Sequence, residues 1–194
     1  MSDIRPVTNQ VDLVGKLERE FVFSHYTFDE KYYTNRIKTI RANNVIDYVP
    51  VIISEKLIPH DACKGTLVTI SGNLRVHTNK QTWAKELFVF VKTLSICPST
   101  NVTLPLSKNF VFLSGCICRA PLYRKLPFDR HVTLLTISVD RNYGFADFVP
   151  CIVLQKDALY CSYFEIGTPV QIHGLIQSRN TQRYEVLVEK IVEI

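Results

Sequence analysis

Several things this sequence lacks narrow its role before anything it contains does. No stretch of its 194 residues approaches the roughly 18 consecutive apolar residues a membrane helix needs. The opening Met1-Ser2-Asp3-Ile4-Arg5-Pro6 is polar, unlike a secretory leader, so the chain is expected in the cytoplasm. The six cysteines (Cys63, Cys97, Cys116, Cys118, Cys151 and Cys161) contain no C-x-x-C. Cys116 and Cys118 have no second pair or nearby histidine to complete a zinc site. On a strand those two would share a face, where free cysteine behaves as a small buried apolar residue. His25, His60, His77, His131 and His173 are scattered, so neither a metal nor any other cofactor is expected. Phosphate-loop, dinucleotide and nucleophile-elbow motifs are missing, and Asp47 and Asp147 recur singly rather than as a two-metal cluster. An enzyme acting on a small-molecule substrate is therefore not expected. Charge of one sign is scarce too: 23 Lys and Arg against 18 Asp and Glu leave +5, which permits a polyanionic partner without demanding one.

What is present is an ordinary globular composition, 46% hydrophobic and 21% charged, enough for a real core. It is also a repeat. Asn9-Gln-Val-Asp-Leu-Val-Gly15-Lys-Leu17 lines up with Asn109-Phe-Val-Phe-Leu-Ser-Gly115-Cys-Ile117, an offset of 100. The same offset places Ile37 on Ile137, Arg41 on Arg141, and Asp47-Tyr48-Val-Pro-Val-Ile52 on Asp147-Phe148-Val-Pro-Cys-Ile152. At an offset of 102, Gly65-Thr-Leu-Val-Thr-Ile-Ser-Gly72 matches Gly167-Thr-Pro-Val-Gln-Ile-His-Gly174. Ordered matches with a small drift mean two copies of one module.

Each copy reads as strands. Val11, Leu13 and Gly15 alternate with polar neighbours, as do Leu135, Ile137 and Val139, and Val170, Ile172 and Gly174. Leu87, Val89 and Val91 match Tyr184, Val186 and Val188, which puts Phe88 and Phe90 on the opposite face, outward to DNA or, the reading favoured because Lys and Arg do not flank them closely, to another OB unit. Between the third and fourth strands, Leu154, Ala158, Leu159 and Cys161 suit a short amphipathic helix, whereas Pro59 limits the first copy to a turn. The expected fold class is all-β: two tandem five-stranded OB-fold barrels, each with a short helical element before the fourth strand. The Pro- and Ser-containing stretch near 95–107 is the natural linker, giving copy one as 1–105 and copy two as 106–194. Their net charges are +3 (13 basic, 10 acidic) and +2 (10 basic, 8 acidic), so neither copy is a basic specialist.

These residues resemble the bacterial-type single-stranded DNA-binding proteins. In copy two the likeness covers residues 107–194, through Asn109 to Gly115, Pro121-Leu-Tyr123-Arg124-Lys-Leu-Pro127-Phe-Asp-Arg130, Val139-Asp-Arg141-Asn-Tyr143-Gly144, Asp147 to Ile152, and Gly174-Leu-Ile-Gln177-Ser-Arg179. Copy one matches more loosely, through Asn9 to Leu17, Asp47 to Ile52 and Lys64-Gly65 to Arg75. A replication-restart OB protein is a second cousin. The resemblance implies a single-stranded DNA partner, held largely without sequence preference by stacking on aromatic rings and by Lys and Arg on phosphates. It places Tyr48 and Phe148 where the family often has a third-strand tryptophan, and Tyr143 just after the second strand. The hairpin between the fourth and fifth strands falls on Arg75 to Lys85, with Trp83, and on Gln177 to Arg183. The candidate cations are Arg41, Arg75 and Lys85 in copy one and Arg124, Arg130, Arg141, Arg179 and Arg183 in copy two, several beside an aromatic such as Tyr123. Any one of them could equally be a solvated surface charge.

The resemblance also implies assembly. Four OB units are the family's usual complement, so two chains would reach it as a homodimer. The ending Val188-Glu-Lys-Ile-Val-Glu-Ile194 lacks the acidic tip used for recruitment, pointing to a plasmid-like, phage-like or accessory member. The six aromatics of Phe21 to Tyr33 suit either core packing or a stacking platform. Two other readings remain open: an OB-fold scaffold of a replication or restart complex that has lost most DNA binding, and an RNA binder.

Overall fold

The computed structural model describes residues 8–78, 85–97, 107–141, 144–180 and 183–194, with the side chains of Thr78, Arg179 and Asn180 excepted. The first set of strands is β1 (Asn9–Leu17), β2 (Val22–Thr27), β3 (Glu30–Ile40), β4 (Ile46–Ser54), β5 (Leu67–Thr78) and β6 (Lys85–Ile96). The second set is β7 (Lys108–Ile117), β8 (Leu122–Leu126), β9 (Arg130–Asp140), β10 (Ala146–Leu154), β11 (Pro169–Asn180) and β12 (Arg183–Glu193). A 3-10 turn at Glu55–Leu57 follows β4, capped by the Ser54 hydroxyl accepting from the Lys56 amide. A short helix α1 (Lys156–Cys161) follows β10 and buries Ala158 and Cys161. The chain divides into two compact units. One comprises Val11–Phe110 with the hairpin segment Ile176–Tyr184; the other comprises Val111–Leu175 with Glu185–Ile194, joined by residues 8–10.

Strand pairing is the same in both sets. In the first the order is β2-β3-β4-β6-β5-β1, and β1 pairs again with β3 through Leu17 opposite Ile37. In the second it is β8-β9-β10-β12-β11-β7, and β7 pairs again with β9 through Ile117 opposite Ile137. Strand β4 runs parallel to β6 and β10 to β12, whereas β3 runs antiparallel to β4 and β9 to β10. Leu13, Leu17, Ile37, Ile53, Ile70 and Leu74 are fully buried in the first set, and Leu113, Ile117, Ile137 and Ile172 in the second. Each such side chain contributes about 1.5–3 kcal/mol by leaving water.

The repeated glycines have a packing reason. A methyl group on Gly15 would overlap the Lys38 carbonyl oxygen, and one on Gly115 the Ser138 oxygen, where β1 and β7 meet β3 and β9. Gly72 and Gly174 are crowded in the same way by the carbonyls of Phe90 and Leu187. Glycine at these sites lets neighbouring backbones close up.

Two sequence expectations need correcting. Among the described residues each set has six strands rather than five, because short outer strands β2 and β8 form hairpins with β3 and β9. Cys116 is exposed and Cys118 half-buried rather than sunk in the core, because Ile117 between them takes the inward position.

Candidate nucleic-acid interface

Alternation along β3, β4 and β6 buries one face and leaves the other for function. In the first set Ile37, Val49, Val51 and Val89 point inward, which turns Arg36, Lys38, Tyr48, Pro50, Phe88 and Phe90 outward, half-exposed. The register places them side by side. Lys38 lies opposite Tyr48, and Arg36 opposite Pro50. Phe88 follows one residue behind the Val51–Val89 parallel pair, which sets it beside Pro50, and on its other side it lies opposite Arg75. One row across four strands therefore reads Arg36, Pro50, Phe88, Arg75, with Lys38 and Tyr48 in the row next to it. Directly opposed side chains in an antiparallel pair sit about 4.5–5.5 Å apart at Cβ, so ring and ammonium in such a pair are neighbours. Flat apolar rings between cations can hold bases and phosphates together.

The equivalent face of the second set has different chemistry. Phe148 is exposed on β10, opposite Ser138, and Pro150 is opposite Thr136. Ser138 and Thr136 stand where Lys38 and Arg36 stand in copy one, and exposed Asp140 replaces Ile40. One residue behind the Cys151–Val186 pair, Glu185 occupies the place of Phe88 and is buried. The two β3 cations have no counterpart on β9, while on the neighbouring strand exposed Arg183 stands where Glu86 stands in copy one.

Arg41 and Arg141 have a definite partner. The Arg41 guanidinium donates from Nε and Nη2 to the two Asp47 carboxylate oxygens at 2.6 and 2.7 Å. Arg141 grips Asp147 in the same bidentate way, and that hydrogen bond raises its already high pKa. Both aspartates are buried, while the arginine side chains keep 18% and 32% of their surface exposed. Within the first unit, Arg41 Nη2 also reaches Gln177 Oε1 at 3.3 Å. Tyr184 belongs to the same unit. Burial raises its hydroxyl pKa, Arg36 and Arg19 oppose that rise, and Glu18 adds to it.

The β2–β3 and β8–β9 hairpins carry a second group of residues. β2 is exposed along its whole length, so its aromatics are not core. Phe23 packs on Tyr26 and Tyr33 at 5.1 and 6.0 Å between ring centres, while His25 stacks on Tyr32 at 5.3 Å. Tyr32 in turn meets Phe90 at 5.8 Å, linking the arm to the outer face. Just after its tip, Ser54 and Lys56 hold the Glu30 carboxyl below its usual range. In the second hairpin the Tyr123 hydroxyl pairs with His131 Nδ1 at 2.6 Å, and Arg124 and Arg130 are exposed.

Of the remaining candidates, Lys85 and Arg183 are exposed at the ends of β6 and β12. Trp83 and Tyr143 lie outside the described residues, as does the side chain of Arg179. The structure thus gathers Tyr48 and Arg75 on one face, and puts Arg41 and Arg141 at the strand ends. Arg36, Lys38 and Phe88 join that face although sequence reasoning did not select the two cations. The signal was available, since both alternate with the buried Ile37, but only the β3–β4 register says they flank Tyr48. No group of three or more His, Cys, Asp or Glu suited to a metal occurs among the described residues, and no helix there is long and apolar enough to cross a membrane.

No family model matches the chain, and no curated protein matches it in sequence. Solved structures do. The wild-type single-stranded DNA binding protein of Thermus aquaticus superposes with a TM-score of 0.81 over 96% of this chain and 92% of its own, at 17% identity. A deletion mutant of that protein gives the same TM-score and identity over 96% and 94%. The N-terminal domain of PriB from Thermoanaerobacter tencongensis is 33% identical over 47% of this chain and 98% of its own, with a TM-score of 0.42. The Thermus likeness, spanning nearly the whole of both chains, is one of fold: this chain has the all-β, OB-type fold of single-stranded DNA-binding proteins.

Proposed function

We infer that this chain binds single-stranded DNA with little sequence preference and performs no chemistry on it. The observation that carries the reading is the outer face of β3, β4, β6 and β5, where Tyr48, Pro50 and Phe88 lie among Arg36, Lys38 and Arg75. It sits on a fold shared with a protein that binds such strands. Stacking is worth roughly 1–3 kcal/mol per base and ignores base identity, since every base has a π-face. Arg36, Lys38 and Arg75 supply phosphate contacts, Lys85 extends them along β6, and Trp83 is a further stacking ring of this reading.

Each set of strands is read as one OB barrel closed by the second pairing of β1 or β7, with the copies divided near residue 105. Arg41 and Arg141 set the loops that border the face, through Asp47 and Asp147, and offer their exposed edges to phosphate. Phe148, Tyr143, Arg179 and Arg183 give copy two a smaller share of binding, because on its central face Thr136, Ser138 and Glu185 stand where copy one has Arg36, Lys38 and Phe88. Copy two then contributes chiefly through the hairpin carrying Tyr123, Arg124 and Arg130. Two chains associate as a homodimer to present four OB units.

The test is a titration with oligo(dT), read by fluorescence of the single tryptophan and by gel shift. Expected is micromolar or tighter binding at low salt that weakens as salt rises, with a log–log slope of about −0.7 per phosphate neutralised. Absence of binding at low salt sinks this reading and favours a scaffold. Tighter binding of RNA than of DNA of equal length favours an RNA partner.

A further inference from the structure

Both hairpins end on a phenylalanine in a conformation that phenylalanine avoids. Phe28 and Asp29 make the two-residue turn from β2 to β3 with φ of 46° and 64°. In the three-residue turn from β8 to β9, Phe128 and Asp129 have φ of 62° and 53°. Turns that need two left-handed residues select Asn-Gly or Asp-Gly, and a bulky side chain there is an outlier. Burial does not compensate. Phe28 is 99% exposed and Phe128 93%, more than any other large apolar side chain among the described residues. The rest of the two arms has diverged, Val22-Phe-Ser-His-Tyr-Thr27 against Leu122-Tyr-Arg-Lys-Leu-Pro127, yet both tips keep Phe-Asp. A ring that opposes its own turn and touches no core is not there for folding. Its partner lies outside the chain.

The charges around the second tip say what that partner carries. Arg124, Lys125 and Arg130 all stand within four residues of Phe128. Arg130 Nε donates to the Pro127 carbonyl at 3.3 Å, which holds the guanidinium beside the tip. Lys125 Nζ meets Asp129 at 2.7 Å, and Arg124 is exposed. An exposed ring with cations around it suits a ligand that offers a π-face and a phosphate a few ångströms apart, the repeating unit of a single strand. At the first tip the nearby charges are engaged within the chain, Lys31 with Glu55 and Glu30 with Lys56.

We propose that Phe128 is a base-stacking finger, with Arg124 and Arg130 holding the adjoining phosphates, and that Phe28 is its counterpart without the cations. The proposal rests on the single-strand reading above and adds a contact that is not part of the Tyr48 face. It is tested with Phe128→Asn and Phe28→Asn, because asparagine accepts the left-handed conformation. Phe128→Asn is expected to weaken oligo(dT) binding about tenfold, the scale of one lost stack, and Phe28→Asn by a smaller factor. Both variants are expected to unfold at the same temperature as the parent protein or higher. Equal affinity for parent and Phe128→Asn overturns the finger while leaving strand binding in place. A lower unfolding temperature gives the ring a structural role and overturns it as well. Failure of the parent protein to bind oligo(dT) overturns both readings.

Discussion

Arg141 forks onto Asp147 across the β9–β10 connection, and Arg41 forks onto Asp47 across the equivalent β3–β4 connection. The backbone joins in, with the Arg41 amide donating to the Val45 carbonyl at 2.9 Å and the Arg141 amide to Phe145 at 2.7 Å. Each pair therefore holds the loop just before Tyr48 or Phe148. A buried carboxylate needs its partner, and removing one member of a buried pair typically costs about 3–5 kcal/mol. Here each arginine keeps some exposure and can be resolvated, so the cost falls below that range. Asp47→Asn and Asp147→Asn are each expected to lower unfolding free energy by about 2 kcal/mol, measured by urea denaturation. An unchanged denaturation midpoint would show that the fork contributes nothing.

Binding should be unequal between the copies. Tyr48→Ala is expected to weaken oligo(dT) binding about tenfold and Phe148→Ala by less, because Tyr48 lies opposite Lys38 whereas Phe148 lies opposite Ser138. The double variant should keep its fold, since both rings face outward. Equal losses from the two single changes would refute the asymmetry.

The cations missed in the sequence reading provide a sharper check. Lys38→Ser copies the Ser138 of the second set, and Ser138→Lys does the reverse. Lys38→Ser should reduce the magnitude of the salt slope of binding by about 0.7, the loss of one phosphate contact to a single strand. The reverse change should increase it by a similar amount. Isothermal titration over a range of salt concentrations reads both, and unmoved slopes exclude Lys38 from the interface.

Close approach of strands should make Gly15 and Gly115 intolerant of a side chain. Alanine at either position drives its methyl into a backbone carbonyl, which cannot swing aside as a flexible side chain could. Overpacking of this kind costs about 1–3 kcal/mol. Gly15→Ala and Gly115→Ala are expected to lower the thermal midpoint, whereas alanine at Gly65, which has open space but a φ of 87°, tests backbone strain alone. A midpoint unaffected by Gly115→Ala would mean the strands part there without cost.

Thiol chemistry should separate the cysteines by position. Burial pushes the Cys161 thiol up to about 12, with Asp157 adding to it, and burial raises Cys151 further, with Glu185 and Cys118 adding. A raised thiol pKa means less thiolate at any given pH, so both should resist alkylation in the native protein near neutrality. Cys63 and Cys116 are exposed and should react first. In the unfolded chain the Cys161 thiol ionises from about pH 8.5, whereas in the folded protein it stays protonated until near 12. The stability linked to Cys161 is therefore whole below that pH and is lost progressively as pH rises toward 12. Mass mapping after brief alkylation at neutral pH decides it, and early labelling of Cys151 would contradict its burial.

Much of the fold was legible because a strand writes itself in period 2. Leu135, Ile137 and Val139 are buried as their alternation requires, and so are Val170 and Ile172. The outward turn of Phe88 and Phe90 was readable for the same reason. Cys116 misled because alternation does not say which phase points inward when both neighbouring sets are apolar. Ile117, larger and more hydrophobic, takes the core. Strands β2 and β8 escaped because they have no buried face, and without one there is no alternation to read.

The sequence by itself determined that this protein is two copies of an all-β module, since repeats and period-2 hydrophobicity are local properties of the chain. It also determined the pairing of Tyr48 with Phe148 and of Asp47 with Asp147 as equivalent positions. Tertiary structure alone decided which of these residues lie side by side. The row Arg36, Pro50, Phe88, Arg75 needs the parallel register of β4 with β6, a pairing between segments far apart in the chain. The fork of Arg141 onto Asp147 and the exposure of Phe28 and Phe128 likewise depend on how loops close. No periodicity records those contacts, because they are set by strand register and turn geometry rather than by the order of residues along one strand.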